Sequence, residues 1–255
     1  MESFGLRASR LQEPDLADAL AQLDVILEDA KLAFAGGSFT RFYRQLAVRV
    51  SRELAAGQFE DASRIARLFS VVSSRYLHAI AAHRAGSDLL LSWDVALSFV
   101  REGKGSVLQE QLLGTNALLN IELGVSAAKV MRGHKFDALE ADFRHLERIV
   151  LDHLEDFDSR RNPISPILQW FGFGMGKPKR WLLAESALRF HENAWGFGKR
   201  LSELDPAFWP AAIADRDTLA SELAWKIAGP SIPTRVVLVG LRLFERPTER
   251  GPDGS

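Results

Sequence analysis

Almost every stretch of this 255-residue chain spaces its apolar side chains three and four residues apart. That spacing returns to one side of an α-helix about once per turn, so it selects helices with a single apolar stripe. Leu16, Leu20, Leu23, Leu27, Ala30 and Phe34 make the first stripe, and "AGGS" closes it, since glycine suits a helix C-cap. Phe39, Phe42, Leu46, Val50 and Leu54 make the second; Ile65, Phe69, Val72, Tyr76, Ala79 and His83 the third. "SDLLLSWDVALSFV" reads as a fourth helix with Ser87 as its N-cap. "GKGS" then opens a long helix over roughly 106–132. Beyond Gly133, the row from Phe136 to Phe157 alternates three and four, and "SRRNPISP" ends it because proline cannot continue a helix. Leu183 to Leu201 make a further seam, and "LDPAFWP" starts a helix with Asp205 as cap and Pro206 in the first helical position.

Between these stripes there is no Asn-Gly or Asp-Gly hairpin signal, and no repeat or linker. The segment 234–244, "TRVVLVGLRLF", is rich in β-branched residues, yet a lone strand would have no partner, so a helix is expected there. The expected fold is all-α: one multi-helix domain over 1–246, of about eight to ten helices around central apolar ones, with a frayed tail at 247–255. A chain of this length can bury roughly 70–75% of its unfolded surface, so it needs no covalent staple.

Composition narrows the functions. The absence of cysteine excludes disulfides, thiolate metal sites and a cysteine nucleophile. A net charge of −1 gives no bulk attraction to nucleic acid or anionic membranes. No apolar run approaches the ~18 residues of a membrane span, and "MESFGLRASRLQEPD" lacks a signal-peptide core, so the expected location is the cytoplasm. Walker A, G-x-G-x-x-G, G-x-S-x-G and H-E-x-x-H sequences are all missing.

The long helix carries the anomaly. In "LLGTNALLNIELG", at 100° per residue, Asn116 and Asn120 share a face with Leu112, Leu119 and Leu123. Gln111, Thr115, Glu122, Ser126 and Lys129 share the roughly opposite, more polar face. A buried unpaired amide costs about 1–3 kcal/mol, so both asparagines must find partners. Those partners are backbone groups of a neighbour, buried water, or a ligand; the expectation is that both face inward and contact Arg189, Trp195 or a ligand between the two helices.

The same segment resembles the centre of a family of uncharacterised, mostly bacterial, all-helical proteins, whose version reads approximately L-L-G-x-N-A-H-I-N-x-D-L. "GQFEDASRIARLF", "SSRYLHA", Trp93 and "RFHENAWGF" resemble other pieces of it, together covering about 40–205. The resemblance implies the family's helical fold and supplies no activity. Leu118 stands where that pattern has histidine, and Glu122 where it has aspartate. Leucine neither ligates metal nor transfers protons, which argues against carrying over a metal site.

Other candidates are weaker. His153 lies in the 136–157 seam amid Asp152, Glu155, Asp156 and Asp158, and Asp152 and Asp156 could share a cation. Asp142 and His145, three apart, could ligate a metal. Arg189 could pair with Glu185 and Glu192 or hold an anionic ligand group, with His191 and Trp195 on a second face. Tyr76 could supply a hydroxyl. "QWFGFGM", with Trp170, could be a lid, a docking loop or core.

The expectation is an enzyme of small-molecule metabolism, specialised metabolism included. It would act without cofactor or metal on an apolar substrate by acid–base cyclisation, isomerisation or lyase chemistry. Glu122, His153 and Tyr76 would be the catalytic groups, and Asn116, Asn120, Arg189, Trp195, His191 and Trp170 the substrate contacts. The alternatives are a metal-dependent hydrolase or oxidase using carboxylate and histidine ligands, and a non-catalytic ligand-binding or scaffold protein. A homodimer stays open.

Overall fold

The computed structural model describes residues 16–28, 37–103, 105, 107–159 and 193–229. Helices follow the stripes: α1 (Leu16–Glu28), α2 (Gly37–Ala55), α3 (Ala62–Ala85), α4 (Leu91–Glu102) and α5 (Val107–Ala117). A π-helical turn, Leu118–Glu122, joins α5 to α6 (Leu123–Val130). A 3₁₀ turn at Phe136–Leu139 leads into α7 (Glu140–Ser159). Residues 193–203 form α8, and a second 3₁₀ turn at Pro206–Phe208 leads into α9 (Trp209–Ala228). Among the described residues there is no strand, and the fold is all-α as expected. The segments 166–175 and 234–244 lie outside the described residues.

The organising element is the run α5–π turn–α6. From Gln111 to Ala128 every residue but Asn120 is buried, whichever way it points. A helix buried all round must be enclosed by other helices. Here α2, α4 and α9 pack on α5, while α3 packs on α6 and α9 on the π turn. The expected wet face of this helix does not exist: Gln111, Thr115, Glu122 and Ser126 are as buried as the leucines, and only Lys129 of that row is exposed. The sequence pattern separates a polar from an apolar side, but it cannot say that the polar side is covered too.

Enclosure at this density depends on glycines, Gly114 and Gly124 among them. A Cβ at Gly114 would lie 2.2 Å from Cγ of Phe39 on α2. One at Gly124 would lie 2.9 Å from the Ala194 carbonyl oxygen, so α6 and α8 touch through their backbones.

Helix starts are secured across the tertiary structure. Asp205 caps as its sequence context suggests, accepting from the Ala207 N–H at 2.8 Å. Ser87 does not cap the fourth helix. That helix begins at Leu91, with Leu90 in the cap position and no side-chain cap of its own. Its orphan donors are met by buried Asp217 from α9, which accepts from Leu91 N–H at 2.6 Å, Ser92 N–H at 3.0 Å and Ser92 Oγ at 2.6 Å. A carboxylate 126 residues away in sequence thus replaces the local cap, and its charge suits the positive end of α4. Asp142 acts likewise before α3, accepting from Glu60 N–H at 2.7 Å and Asp61 N–H at 3.0 Å.

Asp217→Ala should therefore cost about 3 kcal/mol, more than an ordinary cap deletion, because several buried donors lose one charged acceptor. Urea unfolding measures this; a loss under about 1 kcal/mol would show that water replaces the carboxylate.

Candidate functional site

The π turn places the central carboxylate. Its extra residue per turn is seen in the Leu123 N–H, which bonds to the Leu118 carbonyl five residues back. Glu122 leaves this turn toward α3 and α4, 1% exposed. Its Oε1 accepts from Nε1 of Trp93 at 2.8 Å, and its Oε2 accepts from Nε of Arg75. The Arg75 side chain keeps 32% of its surface exposed, so the pair runs from the core toward solvent. Three of the segments that carry the family resemblance, "SSRYLHA", Trp93 and "NIEL", therefore meet at one carboxylate.

Aromatic rings wall this point. Trp93 lies 5.0 Å from the ring of Tyr76 and 5.9 Å from Phe39. Tyr76 meets Tyr43 edge-on at 5.4 Å. Both phenols are held: Tyr76 pairs with Thr40 Oγ1 and Tyr43 with Ser73 Oγ, each at 2.8 Å. Burial raises the pKa of both, against the lowering effect of their hydrogen bonds to Ser73 and Thr40, so both hydroxyls stay protonated. Along the same row of the central helix, Nε2 of Gln111 and the hydroxyls of Thr115 and Ser126 are buried with no hydrogen-bond partner.

Asn116 and Asn120 face the other way, toward α9. Nδ2 of Asn116, 1% exposed, donates to the Ala220 carbonyl at 2.8 Å, and Nδ2 of Asn120 donates to Oδ1 of Asn116 at 2.8 Å. Arg216 donates from Nε to the Asn120 carbonyl and from Nη2 to its Oδ1, both at 3.0 Å. The amides are thus satisfied by a neighbouring helix. Trp195 is not among their partners: it packs on Phe136 at 4.6 Å and Phe143 at 5.2 Å.

Nε2 of His153 donates to the Phe42 carbonyl at 3.1 Å, and its ring lies 4.8 Å from that of Phe42. It stands at the α2–α7 contact. Asp152 pairs with Arg49 at 3.4 Å. Asp142 spends both oxygens on backbone N–H groups, while His145 lies against Phe59 at 4.8 Å. Among the described residues no group of three or more His, Asp or Glu side chains could hold a metal ion. Arg189, His191 and Trp170 lie outside the described residues.

Arg75, Arg216 and Glu147 escaped the sequence reading. Arg75 looks like an ordinary charged helix residue, and only the fold reveals its partner. Glu147 is 5% exposed, and burial pushes its carboxyl up to about 8, with Arg144 opposing. Its position gave a signal: four after Phe143 and three before Val150, it lies within the apolar stripe.

The chain belongs to a family of unknown function, DUF5995, whose profile matches residues 16–230. That agrees with resemblance to an uncharacterised family. No curated protein and no solved structure matches the chain.

Glu122→Ala should cost about 3 kcal/mol, since it strands the buried indole N–H and the inner end of Arg75. Glu122→Gln should cost less, because an amide oxygen can still accept from Trp93; equal losses in denaturant unfolding would show that the Trp93 bond contributes nothing. For Glu147 the sign follows from its raised pKa. The unfolded chain releases this proton near 4.5 and the folded chain near 8, so the folded state binds more protons between them. Stability should decline as pH rises through that window, and Glu147→Gln should flatten the decline. Parallel pH–stability curves for the two proteins would contradict this.

Proposed function

We propose that this protein binds a small, largely apolar molecule at the buried Glu122 cluster, and that Glu122 serves there as acid–base group. The observation that supports this reading is the interior polar row on the central helix. Gln111, Thr115 and Ser126 carry buried polar atoms without protein partners, and Glu122 lies on the same row. An interior that serves packing alone has no use for unpaired hydroxyls, each of which carries a desolvation cost of about 1–3 kcal/mol. A ligand's polar groups would meet them, while the rings of Trp93, Tyr76 and Phe39 would cover its apolar body. π turns are also frequent at functional sites.

The chemistry proposed is cofactor-independent: cyclisation, isomerisation or elimination. Both contacts to Glu122 are donors, so its two oxygens serve as acceptors. Trp93 and Arg75 would orient its oxygens, and Tyr76, a phenol kept protonated by burial, would donate to an oxygen on the substrate. Asn116, Asn120 and Arg216 would act at one remove by holding the π turn in place. A second reading, a non-catalytic ligand-binding protein, is favoured by the fact that both Glu122 oxygens are already held.

Two variants separate a ligand site from a packing defect. Thr115→Val and Ser126→Ala remove unpaired hydroxyls, so each should leave stability unchanged or raise it by up to about 1 kcal/mol. Each should also reduce the small molecules retained by the purified protein, as read by native mass spectrometry. Lower stability in both variants would mean that the hydroxyls are paired, and undiminished retention would remove the site. Turnover lost in Glu122→Gln with retention preserved would separate the enzyme from the binding protein.

A further inference from the structure

The two helices that hold Glu122 also meet at a histidine. Nδ1 of His83, in the last turn of α3, lies 3.6 Å from Oδ1 of Asp94, the neighbour of Trp93 on α4. The His83 side chain is 9% exposed, and its Nε2 is buried with no hydrogen-bond partner. Seven residues earlier, on the same face of α3, stands Tyr76, whose ring packs on Trp93. The contact between α3 and α4 thus contains both the His83–Asp94 pair and the rings beside Glu122. We propose that His83 is an acid-operated release in this contact: a proton taken up by its buried ring loosens α3 from α4, and with them the Arg75 and Trp93 donors from Glu122. This would make the Glu122 cluster responsive to pH, and its functional weight rests on the reading of that cluster given above.

In the neutral ring one nitrogen carries a proton and the other does not, which suits one nitrogen facing a carboxylate and one facing no partner. Protonation adds a second N–H where no acceptor stands, and a charge that burial disfavours. Among the described residues two charged groups act on the ring, both from α4. Arg101, two turns beyond Asp94 on the same helix face, repels a further positive charge. Asp94 attracts it, but the Asp94 side chain is 59% exposed, so water screens the pair. On the helix of His83 itself, the C-terminal carbonyls favour a cation, yet those of Ala82 and His83 already accept from the Ser87 and Gly86 N–H groups. Burial, seconded by Arg101, prevails, and the pKa of His83 lies below its ordinary 6.5. The unfolded chain therefore binds more protons between the two values. Stability that is fully present above pH 6.5 is lost as the pH falls through the folded value.

The test is NMR of the full chain from about pH 5 to about pH 8. The His83 ring and the Trp93 indole N–H are assigned by the signals lost in His83→Phe and Trp93→Phe. The His83 midpoint should lie below 6.5, lower still in Asp94→Asn and higher in Arg101→Gln. At about pH 5.5 the Trp93 indole should exchange with deuterium roughly threefold faster in the parent than in His83→Phe, and at about pH 7.5 at the same rate. Glu147 titrates in both proteins, so the comparison isolates His83. If His83→Phe does not fold, Asp94→Asn and Arg101→Gln, both at exposed positions, should shift the acid onset of Trp93 exchange in opposite directions. A midpoint at or above 6.5, a midpoint unmoved in either charge variant, or Trp93 exchange that rises with acid as much without His83 as with it would overturn the proposal. No ligand or turnover enters these readouts, so their failure is distinct from a failure of Glu122 as acid–base group.

Discussion

One helix with no exposed face sets the terms for the rest of the molecule. Between Gln111 and Ala128 the chain has nowhere to turn a polar group toward water, except at Asn120. Every hydrogen-bonding side chain there must be met by a neighbouring element, by a ligand, or not at all. The surrounding helices answer selectively. α9 supplies a carbonyl and an arginine to the asparagines, and α3 and α4 supply an arginine and an indole to the carboxylate. Three further groups have no protein partner.

The π turn lies at this division. Asn116 and Asn120 stack toward α9 while Glu122 reaches α3 and α4, on sides that helical spacing already sets apart. Arg216 bonds to the Asn120 carbonyl inside the turn, which stabilises a geometry that the backbone alone adopts rarely. The same five residues are thus anchored on one side by a cation and present a held anion on the other. Close helix contact at Gly124 leaves little room for this segment to relax.

Long-range capping points the same way. Asp217 on α9 secures the start of α4, the helix that presents Trp93, while Arg216 next to it secures the π turn. α9 therefore helps to place both the donor and the acceptor of the Trp93–Glu122 bond. Asp142 performs the corresponding service for α3, which carries Arg75 and Tyr76.

The sequence by itself determined the helices, their apolar stripes, the all-α class and the inward placement of Asn116. These follow from residue spacing and turn chemistry, which are local. It also singled out the segment on which the candidate site is built, because polar residues in so apolar a helix must be explained. Only the tertiary structure decided which partners they have. Whether Glu122 faces water or Trp93 depends on how many helices surround its own, and one helix's periodicity does not contain that number. Ser87 looked like a cap because local caps are the common case, yet Asp217 fills the role from a distant helix. Arg75, Arg216 and Glu147 stayed hidden for a related reason: a charged residue on a helix reads as solvated until another element covers it.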